Sequence, residues 1–239
     1  MLKMNTQKQM KKLRILQVSF DTEIKPYELS AFRGAVARKV GIEHHWFHNH
    51  DNENGGTINR YPLIQYKINT QNGQLRPMLL CLEHGIEEAH HFFSQSDWSL
   101  NIKGTLHNMR IANLHVNQYT LNTWDKSFSY RLHKWLPFNS DNFKEYQKME
   151  SLADRFNFLE QRLATNIKSF AEGVDWQLTD DPLSIKITDL AKTEWIDYKQ
   201  IKSLAFTIDF KTNVSLPDFI GVGRGASKGL GVVRRVNLQ

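Results

Sequence analysis

The chain has 239 residues, 40% hydrophobic and 23% charged, with a formal net charge of +6 and a pI of about 9.3. That length allows one large domain or two small ones with a real core, and the composition is ordinary for a soluble globular protein. No apolar run nears the ~18 residues of a membrane span, the basic N-terminus lacks the apolar stretch of a signal peptide, and the lone Cys81 excludes a disulfide framework or a cysteine zinc site.

In chain order, Leu16, Val18 and Phe20 alternate with polar residues as a strand does. Pro26 suits the first position of a helix and Gly41 its end, with Leu29, Phe32, Val36 and Val40 as the buried stripe. Residues 42–59 are polar and rich in His, Gly and Asn, so they read as a loop. A second strand runs through Ile64–Ile68, Asn72-Gly73 signals a hairpin, and residues 75–82 form an apolar, central third strand. Cys81 lies in that run, where a buried structural thiol is expected. A short helix over Gly85–Phe93 and a fourth strand at Trp98–Ile102 complete a β-α-β-β-α-β order, the ferredoxin-like unit.

The second half is less periodic. Residues 114–121 begin a strand, and 130–140 read as an irregular connection. One helix spans about 142–171, because Met149, Leu152, Phe156, Leu159, Leu163 and Phe170 recur at helical spacing. Strands follow around Ile185–Ile187, Trp195–Tyr198 and Leu204–Phe210, and Val232–Val236 closes the sheet. The domain boundary is placed after residue 112, giving units 11–112 and 113–239.

Charge and glycine are unevenly spread. Residues 1–50 hold nine Lys/Arg against four Asp/Glu, so +5 of the +6 sits there. Such a balance suggests an anionic partner, of which nucleic acid is the commonest; the plain alternative is a solubilising tail. Five glycines fall within Gly221–Gly231, interleaved with Arg224 and Lys228 and followed by Arg234 and Arg235. Free amides on such a loop can form an anion-binding concavity. It is not a P-loop, since Gly229 follows Lys228. It is not a dinucleotide site either, since no helix, strand and acidic residue can follow it. A flexible connector remains open.

Four of the ten histidines, His44, His45, His48 and His50, fall within seven residues. Three readings stand side by side. Paired imidazoles suit acid–base work near neutral pH. They also suit a metal, but in His48-x-His50 the acid at Asp51 is out of register for the His-x-His-x-Asp hydrolase pattern, position 52 being Asn. Lastly, they suit a solvated loop without a role.

The segment Leu216–Val233, with its spaced glycines, resembles the C-terminal loop of the CRISPR-associated endoribonucleases of the Cas-six family, which cut precursor CRISPR RNA within its repeats. Phe32-Arg33-Gly34-Ala35, Phe47-His48-Asn49-His50-Asp51 and Arg60–Lys67 extend the resemblance, and the histidine motif looks most like the subtype with two histidines one residue apart. The resemblance implies an α+β fold of two tandem ferredoxin-like domains, like the RNA-recognition fold. It implies endoribonuclease activity by 2′-OH attack without metal or other cofactor, leaving a 2′,3′-cyclic phosphate and a 5′-hydroxyl. His48 and His50 then share the acid and base roles, with His44 and His45 as fallbacks. The RNA-binding set is Arg33, Arg38, Lys39, Arg60, Lys67, Gly221, Gly223, Arg224, Gly225, Lys228, Gly229, Gly231, Arg234 and Arg235. His84, His90, His91, His107, His115 and His133 are read as structural or surface residues. The partner implied is CRISPR repeat RNA, the assemblies open to the chain are an effector complex and a homodimer, and the location is cytoplasmic. The competing readings are a non-catalytic CRISPR RNA-binding subunit of an effector complex and an unrelated ferredoxin-like regulatory protein.

Overall fold

A computed structural model describes residues 10–41, 43–48, 60–178 and 183–236. Strand β1 (Lys11–Phe20) leads through a 3₁₀ turn at Pro26–Glu28 into helix α1 (Leu29–Val40). Gly41 ends the helix at φ +114, a value that favours glycine. Strands β2 (Ile64–Gln71) and β3 (Gln74–Leu82) form a hairpin. Its turn residues Asn72 and Gly73 both have positive φ, which matches the right-handed twist of the strands. Helix α2 (His84–Phe93), a small ribbon of β4 (Ser99–Ile102) and β5 (Thr105–Asn108), and strand β6 (Ile111–Leu121) complete the first unit. Its sheet runs β2-β3-β1-β6, antiparallel throughout.

The second unit repeats that strand order. Its sheet runs β10-β7-β9-β8, built from β7 (Thr123–Trp135), β8 (Ile185–Tyr198), β9 (Ile201–Val214) and β10 (Val232–Arg235). Helices α3 (Ser140–Lys148) and α4 (Leu152–Gly173) lie between β7 and β8, and α4 buries Leu159, Leu163, Ile167 and Phe170 against the core. The two tandem ferredoxin-like units of the sequence reading are therefore present. Strand β1 shows how they join. Leu16, Val18 and Phe20 face α1, whereas Leu13 and Ile15, on the opposite face, enter the core of the second unit. β3 divides the same way, with Leu79 and Cys81 on one side and Leu80 and Leu82 on the other.

Four expectations need correction. The strand at Trp98–Ile102 does not complete the first sheet: β4 pairs only with β5, and β6 takes the edge beside β1. A boundary after residue 112 falls inside β6, which stays in the first sheet to Leu121. Residues 130–140 are not an irregular connection, because β7 runs to Trp135. Phe128, Tyr130 and Leu132 alternate along it, between one register irregularity before Phe128 and another near Lys134, at φ +48. The single helix over 142–171 is two. Ser151 caps α4 by accepting from the Asp154 amide, and Asn139 caps α3 by accepting from Asn142, so each helix has its own start.

Candidate functional site

The glycine stretch connects β9 to β10 and folds back on itself. The Val222 amide donates to the Gly231 carbonyl at 2.8 Å, and Gly221 bridges to Val232. Gly231 sits at φ +57, and a Cβ there would run into the Val222 carbonyl oxygen. Gly223, at φ +82, packs on the indole of Trp135, whose Nε1 donates to Asn166. A 3₁₀ turn, Ala226–Lys228, forms the tip. Several amides of the stretch are already used. Those of Gly221, Val222, Arg224, Lys228, Leu230 and Gly231 donate to groups of the chain itself, so these six cannot contribute to the expected amide concavity.

The stretch docks on the first unit through residues 60–67. Tyr61 donates its hydroxyl to the Gly221 carbonyl at 2.8 Å, and the Gln65 carbonyl oxygen accepts the Gly221 amide at 2.8 Å. Gln65 also donates to the Tyr61 oxygen. Lys67 donates Nζ to the Ala226 carbonyl at 2.7 Å. Lys67 is only 1% exposed, and burial pulls its ammonium down to about 7. It therefore pins the loop from beneath and has no surface to offer a phosphate, contrary to the sequence reading.

Above this seam the cations converge. Arg33 on α1 donates Nη2 to the His48 carbonyl at 2.5 Å, while its buried Nε finds no hydrogen-bond partner among the described residues. Tyr66, beside the Arg33 guanidinium, donates to the Phe47 carbonyl. These two side chains fix the 3₁₀ turn His45–Phe47 and His48 against α1 and β2. From the other unit, Arg224 and Lys228 lie 5.4 and 5.8 Å from the ring of Tyr198. Burial lowers the pKa of both Arg33 and Lys228, and Lys228 is lowered further by the charges of Arg33 and Lys199. Burial raises the Tyr198 hydroxyl, against the pull of Arg224 and Arg33. Two half-buried cations, Arg33 and Lys228, of which the first disfavours the charge on the second, are stabilised by an anion placed between them.

The remaining predicted residues lie elsewhere. Lys39 pairs with Asp97 at 2.7 Å, and Arg38 is exposed on α1. Arg60 lies 3.5 Å over the ring of Trp46. Arg234 stacks on Phe219 at 3.9 Å and Arg235 faces Phe128. Arg234 and Arg235 line a second basic cleft of about 720 Å³ with Arg131, His133 and the Asn69–Thr70 end of β2. Burial, then Arg131 and Arg234, hold His133 below its ordinary value. His45 places its ring 5.9 Å from that of His48, and His44 turns away onto His91. His50 and Asp51 lie outside the described residues. The Cys81 thiol is buried and pushed up to about 12, as an inert structural cysteine should be. Tyr198 and Lys199 were missed. They sit at the β8–β9 turn, where Lys199 and Gln200 adopt positive φ without the Asn or Gly that signals such a turn.

No described helix is long and apolar enough to cross a membrane. Residues 11–120 match the model of the Cas6b N-terminal domain, and residues 122–236 that of the Cas6b C-terminal domain. An uncharacterized protein of Methanocaldococcus jannaschii is 27% identical over 139 residues, covering 57% of this chain and 92% of that protein. A crystal structure of Cas6b superposes with a TM-score of 0.81 at 25% identity, covering 95% of this chain and all of that one. A second, described as the CRISPR RNA processing endoribonuclease Cas6b, shares the fold with a TM-score of 0.69 at 23% identity and the same coverage.

Proposed function

The chain belongs to the Cas6b family of CRISPR RNA-processing endoribonucleases, and from that premise we propose that it cuts repeat RNA across the seam between its two units. The ribose 2′-OH next to the cut attacks the phosphorus. One imidazole of the His48 and His50 pair takes the 2′ proton, and the other protonates the departing 5′-oxygen. The products are a 2′,3′-cyclic phosphate and a 5′-hydroxyl. Arg33, Lys228 and Arg224 offset the charge that develops on the pentacoordinate phosphate. Every proton and charge in the step is handled by the chain's own residues, so cleavage is expected to proceed in EDTA.

One contact carries this reading: the Arg33 guanidinium holds the His48 carbonyl while facing the cations and the Tyr198 ring at the glycine stretch. This contact supports reading the histidine segment and the cations of the glycine stretch as parts of one RNA-binding site. The test is incubation with repeat RNA in EDTA, using wild type, His48→Ala, His50→Ala, and RNA with a 2′-deoxy sugar at the cut. Cleavage by wild type alone, abolished by the deoxy sugar, supports the mechanism. Cleavage surviving both substitutions overturns it, and tight binding without cleavage by wild type turns the chain into a holding subunit.

A further inference from the structure

Two of the histidines read from sequence as structural or surface residues, His84 and His91, converge with His44 on one carboxylate. Helix α2 sets His84, Glu88 and His91 at i, i+4 and i+7, one face of the helix. The Glu88 side chain is only 16% exposed. His84 Nε2 lies 3.2 Å from its Oε1, and His44 Nδ1 and His91 Nε2 each lie 4.0 Å from its Oε2. The His44 and His91 rings lie face to face, centroids 3.8 Å apart and tilted by 33°. One donor atom from each of His44, Glu88 and His91 falls within 4.8 Å of the other two.

We infer that His44, Glu88 and His91 form a binding site for a divalent transition metal of the zinc class, which staples the histidine-bearing segment after α1 to helix α2. Two imidazole nitrogens and one carboxylate oxygen are a donor set that suits zinc, nickel or copper rather than magnesium or calcium, which take oxygen ligands. A tetrahedral ion with bonds of about 2.1 Å holds its ligand atoms about 3.4 Å apart. The two histidine nitrogens lie 4.0 Å from the carboxylate oxygen and all three donors within 4.8 Å of one another, on side chains that are only partly buried, so binding requires them to close in. Three protein ligands leave the fourth position to water. His84 orients the carboxylate from outside the ligand set, as such partners do. Trp46 packs against His84 at 5.0 Å and Arg60 against Trp46, closing the site on one side. The charge of Arg60 also acts on Glu88, so an ion there binds against that competing cation. The site lies four residues before His48, so an ion there fixes the segment without entering the chemistry.

The test uses the full chain without a histidine tag, stripped with chelator. It is titrated with Co²⁺, read by its visible absorption, and with Zn²⁺, read by calorimetry. The expected result is one ion per chain and a raised melting temperature with zinc. His44→Ala, His91→Ala and Glu88→Gln should each weaken binding at least about tenfold, and the exposed-site control His115→Ala should not. Failure to bind, or binding that survives His91→Ala and Glu88→Gln, overturns the inference and leaves these contacts as an ion pair and a ring stack. The readout contains no RNA, so its outcome is separable from that of the cleavage experiment.

Discussion

The two units share one strand order and differ at one connection. In the first, helix α2 lies between β3 and the ribbon that leads to the edge strand β6. In the second, the equivalent link between β9 and β10 is the glycine stretch, with nothing longer than the turn Ala226–Lys228. A helix satisfies most of its own backbone groups, whereas a loop must find partners for them. The carbonyls of Gly221 and Ala226 find theirs in Tyr61 and Lys67, both on the other unit. Replacing the helix with a loop thus forces the second unit to complete itself on the first. That contact brings Lys228 within reach of Arg33, whose guanidinium holds the His48 carbonyl.

The sharpest way to break this picture is to remove the chemistry while leaving the seam intact. His48→Ala should lower the cleavage rate about 10²–10⁴-fold, the usual contribution of a positioned acid or base, with RNA affinity nearly unchanged. The contact that positions residue 48 uses its backbone carbonyl and survives the substitution. His45→Ala, on the neighbouring ring, should have a much smaller effect. Single-turnover cleavage and a parallel binding assay separate the two, and equal losses in both variants would move the catalytic role off His48.

A second test addresses the pin. Lys67 titrates near 7 in the folded protein and near 10.4 when unfolded. Between those values the unfolded chain binds the extra proton, so stability rises with pH across that window and is flat on either side. Lys67→Met removes this rise. The gap in unfolding free energy between wild type and variant should change by a few kcal/mol from about pH 7 to pH 10, measured by urea denaturation. Parallel curves would mean that the ammonium is not buried as described.

A third test compares two glycines. Gly231→Ala places a Cβ against the Val222 carbonyl at a left-handed φ, whereas Gly104→Ala meets open space at φ +90. The first should cost more than the ~1–3 kcal/mol of backbone strain alone and weaken RNA binding, and the second no more than the strain. Thermal melts and salt-matched binding curves check both.

How much of this was legible depends on where each signal resides. The strands of the first unit, the Asn72-Gly73 turn and the glycine stretch announce themselves through period and turn chemistry, which are local. The split of the long helix was also local: Ser151 is a strong cap, but the apolar periodicity running through Met149 and Leu152 masks it. Other features are properties of packing. Lys67 sits in an alternating strand and reads as a solvated cation, yet the glycine stretch of the other unit covers it. His44, Glu88 and His91 come from two elements, and no spacing rule joins them. The Tyr198 turn carries no glycine or asparagine, so its place beside Arg224 and Lys228 emerges only when β8 and β9 pair.

The smallest expected effect is the most discriminating for the comparison of the units. Arg33 belongs to the first unit and Lys228 to the second, and the charge of Arg33 weakens the hold of Lys228 on its proton. If both face the same RNA phosphate track, Arg33→Ala and Lys228→Ala should each weaken repeat-RNA binding modestly. Each should also reduce the slope of log affinity against log salt by about 0.7, the value for one contact to a single strand. Lys39→Ala, whose ammonium is already paired with Asp97, should leave the slope unchanged. The double variant decides whether the cluster is one site. With one phosphate between the two cations, the second substitution removes less than the first, because the repulsion between them has gone with it. With two separate phosphates the losses add. Additive losses would mean that the units grip the RNA independently, and that the loop replacing the helix brings Lys228 near Arg33 without making them act together.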